Sequence, residues 1–386
     1  MVLSLTSLLS TAVELVIFPV LLAFTVVKTL AQFASRGFTP LFPKWTLRFE
    51  VSCALKRLVT ERYGEALSCE PSAGRFRRLT ELVGSTAGWF SCLRHHTAME
   101  PEIVNRLEHL WIRSSISSET RHGGSSKNPR FVVLYYHGGG YAVYSPRYFV
   151  DYCNMLRAAI VRELRMSSSS AVNSVEIDFF IANYRKTPVH KFPVPAQDAQ
   201  LMYEYLVEHH KISPRHIIIA GDSAGGGLTM STLLGLRNAN KQSLMPLAAV
   251  LSCAYLDLTE EPEGFVPAPH CGLSQTLIRS FRQAALTNPD DPVEARKHSA
   301  VYSDLRGLPP VFVQAASLDY IYQNSLDLIA KAKADGVLQD WEVDLHEGVP
   351  HVFMTTSPSV LPYAAVGVQN IAKFAVKQIQ SSLEQK

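Results

Sequence analysis

The sequence predicts an α/β protein with a mainly parallel central sheet flanked by helices. Three observations carry that expectation. From residue 131 onward, short β-type runs alternate with helix-type runs, the pattern of parallel strands joined by right-handed crossovers. A Gly-x-Ser-x-Gly motif, Gly221-Asp222-Ser223-Ala224-Gly225, lies between an apolar β-type run (216–220) and a helix-type run (228–236). A glycine-rich stretch, His137-Gly138-Gly139-Gly140, follows an earlier β-type run (131–134).

Taken in order from the N-terminus, residues 1–35 contain two charges, Glu14 and Lys28. Residues 15–27 are apolar apart from Thr25. As a helix they span only about 20 Å, against roughly 30 Å of hydrocarbon core. Extension on both sides gives a membrane anchor, with the charges drawn toward the interfaces. A cleaved signal peptide fits less well, because there is no basic n-region and no Ala-x-Ala site. A helix lying in the membrane plane, or one that belongs to the cap, is the remaining alternative. Residues 36–110 mix aromatic and basic side chains at helix-like spacing, and 114–129 and 166–174 are Ser-rich connections expected to be loops. A helix is expected over 146–164 and strands over 176–182 and 248–251. A Pro-rich loop follows at 260–270, then strands at 310–315 and 341–346 and a final helix at 364–383.

A Gly-x-Ser-x-Gly between strand and helix is a nucleophile elbow, the mark of an α/β-hydrolase. Ser223 must sit on a tight, strained turn so that its hydroxyl stands clear of the sheet edge. Small residues flank it because side chains there would strike the neighbouring strand and helix. The same turn aims the Ala224 N–H at the place where an oxyanion would form, and a glycine-rich loop upstream can turn further N–H groups toward it. The serine needs a base, and the base needs an acid to hold its tautomer, in the chain order Ser, Asp or Glu, His. His351 lies in a loop after the last strand, whereas its competitor His346 falls inside the alternating run. Asp319 leaves the 310–315 strand in a turn. Asp327 falls on a helix face, and Asp304 precedes the strand at its wrong end.

Further segments carry a family resemblance. Tyr184-Arg185-Lys186-Thr187-Pro188 with Phe192-Pro193 and Asp198-Ala199, Tyr255-Leu256-Asp257-Leu258-Thr259, and Leu305-Arg306-Gly307-Leu308-Pro309-Pro310 occur in order with the two glycine motifs. Over residues 131–353 the chain resembles the hormone-sensitive-lipase-like family of α/β-hydrolases, including its arylacetamide-deacetylase and steryl-acetyl-hydrolase members. The resemblance implies ester or amide hydrolysis by Ser223, Asp319 and His351, with oxyanion donors at Gly138, Gly139 and Ala224. It implies an anchor over 1–35 and a hydrolase domain over 36–386, capped by about 36–110 and 257–290. The substrate it implies is a small hydrophobic ester, such as an acetylated sterol, met at the endoplasmic reticulum membrane. The sequence departs from the family at Gln323 and Asn324, where an acidic pair is usual. Acyl transfer to another acceptor, and ligand binding without turnover, are the rival readings.

Orientation in a membrane stays open. Lys28, Arg36, Lys44 and Arg48 follow the apolar segment and favour a cytoplasmic catalytic domain. The resemblance suggests a lumenal one, and there is no Asn-x-Ser/Thr sequon to support it.

Other residue types point to little else. His137 is expected to order its own loop through a ring hydrogen bond, and Asp222 to be structural. The pairs His95-His96 and His209-His210 lack the i, i+4 spacing of helical metal ligands and are expected at the surface. With no His-Glu-x-x-His, Cys-x-x-Cys, phosphate loop or dinucleotide fingerprint, no metal and no cofactor are expected. The net charge is +3, with no basic stripe, so nucleic acid is not an expected partner. Six scattered cysteines are expected as thiols, with one disulfide open to a lumenal domain. Oligomeric state is not legible.

Overall fold

A computed structural model describes residues 5–115, 129–166, 174–260 and 268–384. Most of the loop expected at 114–129, the Ser-rich connection at 166–174 and part of the Pro-rich loop at 260–270 lie outside the described residues.

Three helices open the chain: α1 (Leu5–Ser35), α2 (Leu47–Leu67) and α3 (Ser72–His95). They are followed by a hairpin, β1 (Thr97–Val104) and β2 (Leu107–Ser114), whose turn is Asn105-Arg106 with both residues in the left-handed region. Two-residue hairpin turns require that conformation to match strand twist, and Asn adopts it readily. Residues 97–110, expected within a helical cap, belong instead to this strand hairpin. Pro101 and the strand-poor residues Glu100 and Glu102 sit mid-segment and demote it as a strand, so the hairpin carries only a weak strand signal. A strand edge tolerates such residues because one side of its backbone is not paired.

The rest follows the expected alternation: β3 (Arg130–Tyr136), α4 (Val150–Met166), β4 (Glu176–Ala182), α5 (Val194–Glu208), β5 (Ile217–Asp222), α6 (Ala224–Asn238), β6 (Ala248–Ser252), α7 (Gln275–Ala285), α8 (Pro292–Lys297), β7 (Val311–Ala316), α9 (Tyr322–Ala334), β8 (Glu342–His346) and α10 (Ala364–Glu384). The eight strands form one sheet in the order β1-β2-β4-β3-β5-β6-β7-β8. From β4 to β8 every neighbour is parallel, and β2 joins β4 antiparallel.

Strands β3 to β7 are buried on both faces, which is why they read as continuous apolar runs. Their alternate residues feed two cores. Phe131, Val133 and Tyr135 pack with α4 and α10, while Val132, Leu134 and Tyr136 pack with α5 and α6. The C-terminal ends of these parallel strands carry Tyr136, Asp222, Ser252 and Ala316, and the loops leaving them converge there. That is where an open α/β sheet places its site.

Helices α2 and α7 pack together over this edge. Gly64 of α2 faces the Leu277 backbone, where a Cβ would come within 3.0 Å, and Arg57 donates to the carbonyl of Leu273 at 2.8 Å. Thr46 and Ser274 cap the two helices, accepting from the N–H groups of Phe49 and Leu277. All six cysteines are free thiols.

Candidate active site

The elbow begins where β5 stops. Ser223 has φ 50° and ψ −122°, a sparsely populated conformation that costs on the order of 1–3 kcal/mol and persists only where the surroundings over-determine it. They do so here. The Ser223 N–H donates to Ser252 O at 3.0 Å, and its carbonyl accepts from Tyr255 N at 2.8 Å and Gly226 N at 3.0 Å. The flanking glycines are obligatory. A Cβ on Gly221 would lie 2.3 Å from the Gly225 backbone, and one on Gly225 would lie 1.8 Å from Tyr136 O. Helix α6 starts at Ala224, so the positive end of its dipole faces the serine.

His351 and Asp319 come from the loops after β8 and β7. His351 Nδ1 lies 2.7 Å from Asp319 Oδ2, and both side chains are buried. Asp319 Oδ1 accepts from Ile321 N at 3.0 Å, which fixes the carboxylate. The two loops are also tied together. Leu318 N donates to Val349 O at 3.0 Å, and Gly348 N to Ser317 Oγ at 2.9 Å. Asp319 thus occupies Nδ1 of His351, and His351 and Ser223 line one cavity. No Ser223–His351 hydrogen bond is formed among the described residues. Such bonds are often long in a free hydrolase and tighten with substrate. His346 is engaged elsewhere: its Nε2 lies 2.7 Å from Asp344 Oδ2 and its Nδ1 2.9 Å from Tyr363 Oη. Asp327 meets Gln323 on an exposed helix face, and Asp304 pairs with Arg306.

The glycine loop corrects one expectation. The Gly138 N–H donates to Asp222 Oδ1 at 2.8 Å, so it is not free for an oxyanion. The same carboxylate oxygen accepts from Tyr135 Oη. Burial raises the Asp222 pKa, while these two donors pull the other way. Asp222 is therefore a clamp between elbow and glycine loop. Gly139 and Gly140, at φ +113° and +57°, line the cavity that also holds Ser223. A Cβ on Gly140 would strike the Phe281 ring at 2.1 Å.

His137 lies fully buried beneath that loop. Its Nδ1 lies 2.8 Å from Gly138 O and its Nε2 3.1 Å from Lys186 Nζ. Burial, with the Lys186 charge adding, holds this imidazole well below its usual pKa, so it is neutral. Tyr184 stacks on the His137 ring at 4.8 Å and donates from Oη to His137 O at 3.0 Å. Arg185 forms a two-pronged pair with buried Asp198. The Tyr-Arg segment and its distant Asp thus brace the glycine loop from below. Asn324, where an acid is usual, accepts from the N–H groups of Leu256 and Asp257 at 3.0 and 3.1 Å, a task a neutral amide oxygen can perform. His210 is not a simple surface residue: its Nε2 lies 3.0 Å from Glu102, which also accepts from Trp111 and Tyr205.

The cavity has a volume of about 620 Å³. Its floor is Ser223, His351, Gly139 and Gly140. Its walls are mostly apolar: Phe49, Leu55 and Val59 from α2, Phe76 from α3, Tyr144 and Tyr148, and Leu277, Ile278 and Phe281 from α7. Sequence reasoning named none of these wall residues. Helix-like apolar spacing in 36–110 was the available signal, but it does not say which face meets the serine.

Residues 133–355 match the alpha/beta hydrolase fold family. The chain is 29% identical over 221 residues to an acetyl-hydrolase of Streptomyces hygroscopicus, covering 55% of this chain and 67% of that protein. It is 28% identical over 246 residues to an esterase of Acinetobacter venetianus, covering 63% and 74%. In structure it is similar to an esterase from the bacterial hormone-sensitive lipase family, with a TM-score of 0.66 and 26% identity, over 86% of this chain and 98% of that one. With more than half of its length matched, a strained serine elbow and a parallel sheet built to support it, the chain belongs to the α/β-hydrolase fold family.

Proposed function

We propose that the protein is a serine carboxylesterase that hydrolyses acetyl or other short-chain esters of hydrophobic alcohols. The observation that carries this reading is the 2.7 Å Asp319–His351 pair, whose histidine lines the cavity that also holds the strained Ser223. The relatives named acetyl-hydrolase and esterase support the reaction class.

In this reading, His351 Nε2 takes the Ser223 proton as Oγ attacks the ester carbonyl. Asp319 stabilises the imidazolium that forms. The N–H groups of Ala224, Gly139 and Gly140 receive the oxyanion, each worth about 2.7–4 kcal/mol in the transition state. The C–O bond to the alcohol breaks, His351 returns the proton to the leaving oxygen, and an acyl-serine remains. Water, deprotonated by His351, attacks that ester. The acid leaves and the serine regains its proton. A bulky apolar alcohol is favoured by the aromatic and aliphatic walls.

The domain reading is that residues 1–35 attach the enzyme to a membrane, at the endoplasmic reticulum, and 36–386 form the hydrolase, with α2, α3 and α7 as its cap. Support for attachment is the length and composition of α1, whose segment Ile17–Ser35 is apolar enough to cross a bilayer.

The test is Ser223→Ala, assayed on p-nitrophenyl esters of graded chain length and on acetylated sterols. We expect loss of hydrolysis with an unchanged circular dichroism spectrum, and loss of fluorophosphonate labelling. Turnover equal to that of the unmodified protein would refute the assignment.

A further inference from the structure

Helix α3 turns the wrong face inward for a protein surrounded by water. Its buried positions are small or polar: Ala73, Thr80, Gly84, Gly88, Ser91 and Cys92. All of its large apolar residues but Phe76 point out. Leu79, Leu82, Val83, Trp89, Phe90 and Leu93 are each 52–68% exposed. Their spacing places them in one stripe along about four turns of helix. The glycines explain the inversion. A Cβ on Gly84 would come within 2.5 Å of the Tyr148 backbone, and one on Gly88 within 3.0 Å of Val150. The helix seats its narrow face on the turn leading into α4, which leaves only the bulky face for the outside. Surface helices of soluble proteins do the reverse, and a contiguous exposed apolar stripe marks an interaction site.

We propose that this stripe docks α3 onto the surface of a lipid bilayer. The other exposed residues of α3 are Arg75 and Arg78 near one end, Arg94 at the other, and Thr86 and Ala87 between; its one acid, Glu81, turns away from the stripe toward Arg147, 3.9 Å away. An apolar stripe with an adjacent Trp-Phe pair and arginines at both ends suits acyl chains flanked by anionic headgroups. A second membrane-seeking element lies close by. Within α1, Ile17–Ser35 has a mean hydropathy of 1.8 and is almost entirely unburied. Helix α1 is held along α2 by the Phe18–Tyr63 ring contact at one end and the Arg36–Glu50 pair at the other. Helix α2 touches both α1 and α3.

Docking of α3 is independent of any enzyme activity. If the esterase reading also holds, docking sets the cavity beside the bilayer, because α3 supplies Phe76 to the cavity wall. A lipophilic ester would then enter without crossing water.

The structure provides its own reporter. Of the four tryptophans, Trp45, Trp111 and Trp341 are buried and only Trp89 is exposed. The full chain would be reconstituted in vesicles of phosphatidylcholine and phosphatidylserine, with and without brominated acyl chains. Bromine quenching of about a quarter of the tryptophan emission, one residue in four, is expected, together with a blue shift relative to detergent-free solution. Trp89→Phe should remove the quenched component. Leu82→Glu with Phe90→Glu should also remove it, and should slow hydrolysis of a vesicle-borne ester roughly tenfold while sparing a water-soluble ester. Vesicle-bound protein with no bromine quenching would overturn the proposal. So would a Trp89 blue shift that depends on protein concentration and not on lipid, which would assign the stripe to a second copy of the chain. Quenching that persists alongside inactive protein would leave docking intact and refute only the esterase reading.

Discussion

Replacing Asp319 with Asn tests the tautomer argument with almost no change in shape. Asp319 Oδ2 receives the His351 Nδ1 proton at 2.7 Å, while Oδ1 receives the Ile321 N–H at 3.0 Å. An asparagine that keeps its oxygen on Ile321 N must turn its NH2 toward the ring. Nδ1 then becomes an acceptor, the proton moves to Nε2, and the imidazole presents a donor to Ser223. It can no longer take the serine proton. In Ser-His-Asp hydrolases this wrong tautomer costs about four powers of ten in kcat. At about 1.36 kcal/mol per power of ten, that is roughly 5.4 kcal/mol of transition-state stabilisation. The opposite amide orientation keeps the tautomer but sets NH2 against the buried Ile321 N–H, costing about 1–3 kcal/mol of stability. The first orientation is therefore expected to dominate. Asp319 is not a lining residue of the cavity, so KM should change little. The assay is the initial rate on p-nitrophenyl butyrate, with kcat and KM resolved, beside thermal unfolding of both proteins. A variant within about tenfold of the parent kcat would refute the assignment of Asp319 as the orienting acid.

Two further predictions concern the frame around the site. Asp222→Ala removes the shared acceptor of Tyr135 Oη and Gly138 N, stranding two buried donors. It should cost about 2–5 kcal/mol in urea unfolding and lower kcat more than it raises KM, because the glycine loop loses its clamp. His109 is buried, stacks on Phe180 and accepts from Asn183 N at 3.0 Å, and burial lowers its pKa to about 4. The folded state therefore holds fewer protons than the unfolded chain. The stabilisation is complete above pH 6.5 and is lost as pH falls toward 4, by on the order of 3 kcal/mol. Burial of neutral His137 acts in the same direction. His109→Gln, which keeps an acceptor, should flatten the fall in melting temperature over that range; an unchanged slope would exclude His109 as a source of acid sensitivity.

Much of this molecule is local information. The five strands β3 to β7 are continuous apolar runs because both faces of each are covered. The elbow is legible because its backbone conformation tolerates only small neighbours at Gly221 and Gly225. The order Ser223, Asp319, His351 follows from which loops an α/β sheet gathers at one edge. What the chain could not disclose is how competing partners share the polar groups. His346 is excluded because Asp344 and Tyr363 hold both its nitrogens. Gly138 is excluded because a carboxylate 84 residues away claims its N–H. The β1–β2 hairpin gains its place in the sheet by pairing with β4, in addition to its own turn and its Trp111–Glu102 and Arg113–Glu100 pairs, and the cavity walls come from helices whose inward face is set by close approach at Gly64, Gly84 and Gly88. Periodicity and turn chemistry act over a few residues and can be read along the chain. The allocation of each buried donor, and the face a helix turns outward, depend on neighbours brought together only when the sheet is complete.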